Sequence, residues 1–64
     1  MGRTMVNELV KMLANLNVMI PMIQDAREAA FDKKEALLGE QLTDELVEAL
    51  QMREEIEHKL GLDF

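Results

Sequence analysis

Apolar side chains recur at alternating spacings of three and four through the first half of the chain, at Val6, Leu9, Leu13, Leu16, Ile20 and Ile23. That rhythm is the a/d seam of a packed helix. Met5, Met12, Met19 and Ala26 widen the apolar stripe along one edge. The phase carries on through Arg27, Ala30, Lys34 and Leu37. No stretch alternates with period two, and Ala, Glu, Leu, Lys and Met favour helix, so strands are excluded. The pattern predicts a first helix with Thr4 as its N-cap and Gly39 as the C′ residue in the left-handed conformation. Leu42, Leu46, Ala49, Arg53, Ile56 and Leu60 form a second seam. Thr43 or Asp44 is the expected cap of that helix, and Glu45 sits in its first turn, where the helix dipole favours an acid. Gly61 ends it, with Leu62 folding back on Ile56 as in a Schellman cap. Gly39, Glu40 and Gln41 are left as the connection.

Pro21 interrupts this picture. It has no N–H to give the Asn17 carbonyl, and its ring crowds that carbonyl, so a helix running through it should kink. The alternative is one helix ending near Asn17 and another beginning with Pro21 in its first turn. The seam stays in phase across Pro21, and no glycine or polar cluster offers a turn there, which favours a single kinked helix. A short connection makes the two helices antiparallel neighbours. With the turn centred near Glu40, level positions sum to about 80, so Arg27 lies near Arg53 and Ile20 near Leu60. Residues 4–20 then have no partner within the hairpin. The expected fold is therefore all-α: a helical hairpin with a long, Pro21-kinked first helix, paired with a second copy as a four-helix bundle. Val6, Leu9, Leu13, Leu16, Ile20 and Ile23 are the expected dimer interface. A break at Pro21 would instead give a three-helix unit.

Composition sharpens the case for pairing. The chain has 64 residues, enough for a single helical domain spanning 1–64, and no cysteine. A core this small usually needs a staple, and with disulfides and cysteine-bound zinc excluded, oligomerisation remains. Thirteen acidic residues against seven Lys and Arg leave a net charge of −6, which repels a phosphate backbone. Nucleic acid is therefore not an expected partner. The apolar run Val18–Ile20 stops at Pro21, far short of a membrane span, and Lys11 is the lone basic residue in the amphipathic stretch 4–23, so neither membrane mode is expected. Asn7, Glu8, Lys11, Asn15 and Asn17 break up any signal-peptide core. The expected location is the cytoplasm.

Materials for chemistry are sparse. Serine and cysteine are absent, and the hydroxyls of Thr4 and Thr43 are accounted for as caps. One histidine without a seam carboxylate makes no triad, and the glycines are isolated, so an enzyme is not expected. Glu55 and His58 have the Glu-x-x-His spacing of bundle di-iron sites, but both fall opposite the Leu42–Leu60 seam. They read as a solvated face, with no metal and no cofactor. The methionines at Met5, Met12 and Met19 recur every seven residues and suit either a dimer core or an adaptable target groove. Arg27 and Lys34 fall on the first seam and Arg53 on the second. Charges on a half-buried face need compensation, by glutamates, by snorkelling or by a bound anion. The leading functional expectation is a small non-enzymatic interaction protein, an inhibitor, adaptor or antitoxin-like regulator, binding another protein as a homo-oligomer. The alternative is a protein that sequesters a small anionic ligand such as a nucleotide, with Arg27, Lys34 and Arg53 as ligand-binding residues.

Overall fold

The computed structural model describes the backbone of residues 3–62 and the side chains of 5–62. Two helices, α1 (Arg3–Asp32) and α2 (Ala36–Lys59), pack against each other as an antiparallel hairpin, with no strand among the described residues. Helix α1 runs without interruption through Pro21. The three-helix alternative is thereby excluded. Ile20 is buried just before the proline and Ile23 packs on the core just after it, so tertiary contacts hold the helix on both sides of the missing bond. Pro21 and Asn17 are both exposed, which leaves the unmatched Asn17 carbonyl within reach of water. Thr4, expected as the N-cap, has helical backbone; its side chain lies outside the described residues.

The turn falls earlier than the sequence suggests. It comprises Lys33, Lys34 and Glu35, not Gly39 to Gln41. Helix α1 closes with a Schellman motif: Glu35 N–H donates to the Ala30 carbonyl at 2.8 Å and Lys34 N–H to the Phe31 carbonyl at 3.0 Å. Lys34 occupies the left-handed position at φ +63°, where glycine would be the usual residue. Asp32, Lys33, Lys34 and Glu35 are four consecutive charges, and the turn falls within that exposed run. Glu35 begins α2 without a side-chain capping bond. Helix α2 ends as expected at Gly61 (φ +73°), with Gly61 N–H donating to the His58 carbonyl and Leu62 N–H to the Glu57 carbonyl.

Gly39 has a different role from the one its type suggests. It is buried inside α2, and a β-carbon there would lie 2.6 Å from Cε1 and Cζ of Phe31. The phenyl ring of α1 rests directly on the α2 backbone. Thr43 likewise caps nothing. Its hydroxyl donates to the Gly39 carbonyl at 2.8 Å and accepts from Arg27 Nε at 2.6 Å.

The Arg27–Thr43 bond sets the register. Level positions sum to about 70 rather than 80. The shift follows from the turn: moving it from Glu40 to Lys34 slides α2 along α1 by about three helical turns. Leu16, Ile20, Leu46, Ala49 and Ile56 consequently form the core, with Leu9, Leu13, Ile23, Leu50 and Leu60 packed around it. Each large apolar side chain buried there contributes about 1.5–3 kcal/mol. The overhang predicted for residues 4–20 shrinks to roughly two turns at the start of α1. Five of the six residues expected at a dimer interface, Leu9, Leu13, Leu16, Ile20 and Ile23, pack between the two helices of one chain, and Val6 is exposed. The core remains thin: among the described residues no large side chain is withdrawn completely from solvent. The body is a rod of 47 × 18 × 17 Å.

Candidate functional site

One long side of the rod is apolar. A groove of about 240 Å³ runs between the helices, floored by Leu16, Ile23 and Ala49. Met12, Asn15 and Met19 of α1 form one wall; Met52, Glu45 and Glu48 of α2 form the other. The three methionines are 41%, 48% and 45% exposed at positions 12, 19 and 52 respectively, a large investment of apolar surface in contact with water. Their origin is the seven-residue recurrence in α1, which keeps Met12 and Met19 on the edge beside the seam. Met22 and Leu38, both exposed, extend the same side by helical spacing. The opposite side of the pair carries Asn17 and Gln24 from α1 and Glu54 from α2, with Val10 and Val47 standing singly.

The charges are divided unevenly. Helix α1 carries Arg3, Lys11 and Arg27 against Glu8, Asp25, Glu28 and Asp32, a net −1. Helix α2 carries Arg53 and Lys59 against Glu40, Asp44, Glu45, Glu48, Glu54, Glu55 and Glu57, a net −5. Between Lys11 and Asp25, α1 has no charged residue on any face. The groove thus has a neutral wall on α1 and an acidic wall on α2.

The cationic seam residues are not brought together. Arg27 lies half-buried, its Nε bonded to Thr43 and its guanidinium carbon 5.3 Å from the centre of the Phe31 ring. With Gly39 under that ring, the four residues form a local lock between helices near the turn. Arg53 is on another level and faces Glu57, with Nε 3.7 Å from Oε1 at a partly exposed site. That pairing is within one helix and contributes little. Lys34 is exposed in the turn. The sequence placed Arg27 and Arg53 side by side only because it placed the turn too late.

Glu55 and His58 lie on the outer surface of α2 beside Gln51 and Glu54. Among the described residues no group of three His, Asp or Glu side chains could hold a metal ion, and no helix is long and apolar enough to cross a membrane. Comparison of the chain with protein-family models, curated proteins and solved structures gives no match.

Proposed function

We propose that this chain is a non-enzymatic interaction protein. It completes its core by pairing with a second copy across the methionine groove, making a four-helix bundle, and acts by binding another protein. The observation that carries the reading is the groove itself: a strip of Met12, Met19 and Met52 over Leu16, Ile23 and Ala49, on a hairpin whose own core is thin. Burying each half-exposed methionine would contribute on the order of 1 kcal/mol. Methionine suits such a surface because its unbranched side chain repacks around what it meets. The interface overlaps the one the seam suggests only in part, since Leu9, Leu13 and Ile20 pack within the chain while Leu16 and Ile23 also floor the groove. Residues left outside the groove, chiefly the acidic outer face of α2, would be the surface offered to a partner protein.

Sedimentation equilibrium tests the pairing. The wild-type chain of 7.3 kDa should sediment as a dimer at micromolar concentration. Met19→Glu puts a charge on a wall that is half-exposed in the hairpin, so it should give a helical monomer. A wild type that stays monomeric and fully folded would sink the reading.

A further inference from the structure

Resting on that pairing, we infer that the second copy docks with its α1 against α2 of the first, the two chains running parallel with both turns at one end of the bundle. Two identical grooves can face each other in two ways. With the two-fold axis across the helices, α1 lies beside α1 and α2 beside α2. With the axis along the bundle, each α1 lies beside the other chain's α2, and like helices sit diagonally.

Charge separates the two. The first arrangement sets the acidic wall, Glu45 and Glu48, against the acidic wall of the other copy, joining two helices of net −5 at a spacing of about 8–10 Å. The second sets α2, net −5, against α1, net −1; Glu48 falls level with the partner's Met22, and Glu45 falls level with the partner's Asp25 and beside the partner's Ala26, where the carboxylates can still reach water at the edge. Parallel chains keep the hairpin's own register, in which level positions sum to about 70. Lys59 then falls level with the partner's Lys11 and within one turn of the partner's Glu8, so the charges at the open end offset one another and the net charges of the facing helices decide. The whole face of 47 by 18 Å projects roughly 850 Å², an upper limit close to the ~800 Å² that each partner buries in a standard-size complex.

Disulfide trapping tests the arrangement. Met22 and Glu48 are level, exposed and on opposite walls. Chains carrying Met22→Cys and chains carrying Glu48→Cys are mixed in denaturant, refolded together and oxidised. A disulfide-linked dimer is expected in the mixture and in neither variant alone, because like helices lie diagonally, ~13 Å apart, beyond the ~7 Å a disulfide spans. Cross-linking of either variant with itself would overturn the arrangement. So would a mixture that does not cross-link although wild type sediments as a dimer. A monomeric wild type would overturn the pairing itself. Should a variant lose its helical circular dichroism, Ala26→Cys with Glu45→Cys probes the same seam under the same criteria.

Discussion

Gly39→Ala distinguishes a glycine kept for packing from one kept for a turn. Inside a helix the change by itself should stabilise by about 1 kcal/mol, because alanine loses less backbone freedom on folding. Here the new β-carbon would meet Phe31, 2.6 Å from Cε1 and Cζ and 2.9 Å from Cδ1. Carbon atoms rest comfortably at about 3.5–4.0 Å, so the ring must retreat by about 1 Å. Phe31 is 42% exposed and has room to swing outward. Doing so would loosen its contact with the Arg27 guanidinium, worth about 0.5–1 kcal/mol at an exposed site. It would also re-expose apolar surface on the ring and on the α2 backbone, on the order of 1 kcal/mol more. The loss exceeds the helix gain, and Gly39→Ala should destabilise by up to about 1 kcal/mol. In a Phe31→Ala background the obstacle is gone, and the same change should stabilise by about 1 kcal/mol. The coupling, between 1 and ~2 kcal/mol, exceeds the ~0.5 kcal/mol scatter of independent sites. Urea melts of the four proteins at one fixed concentration measure it. Equal gains in both backgrounds would refute the packing role.

Lys34→Gly should stabilise by about 0.5–1 kcal/mol, since it relieves a left-handed lysine and keeps the Schellman bonds of Glu35 and Lys34 backbone N–H groups; a thermal melt that does not rise would contradict the assigned turn. Pro21→Ala should stabilise by up to ~3 kcal/mol by restoring the bond to the Asn17 carbonyl. A loss of stability in its melt would mean that the packing of Ile20 and Ile23 depends on Pro21 itself.

What the sequence disclosed, and what it hid, follows from the same residues. The seam Leu9–Ile23 and the stop at Gly61 were legible because periodicity and a glycine after the last apolar position are direct consequences of helix geometry. The turn was hidden. A lysine in the left-handed region has no sequence signature, while Gly39 has the signature of a C-cap and serves instead as a seat for Phe31. The charged run Asp32–Glu35 was the available signal, outweighed by a seam that stays in phase through Lys34. Everything placed by the register moved with that error: Arg27 lost Arg53 as its neighbour and gained Thr43. The methionine edge was visible throughout as a seven-residue recurrence, but its separation from the intramolecular seam needed the position of α2.

The three-residue connection also dictates an order of assembly. Contacts near it, such as Arg27 with Thr43, close a short stretch of chain, while those toward the termini close progressively longer ones. Structure can therefore grow outward from the turn like a zip, each added turn of helix finding its partner already close, and low contact order predicts folding in the microsecond-to-millisecond range. Pro21, which removes one rung from the α1 ladder, stands between the half that closes early and the half that closes late. In native-state hydrogen exchange the amides around Ala30, Leu46 and Ala49 should outlast those of residues 5–16, and the end where α1 begins and α2 finishes should be the first to open.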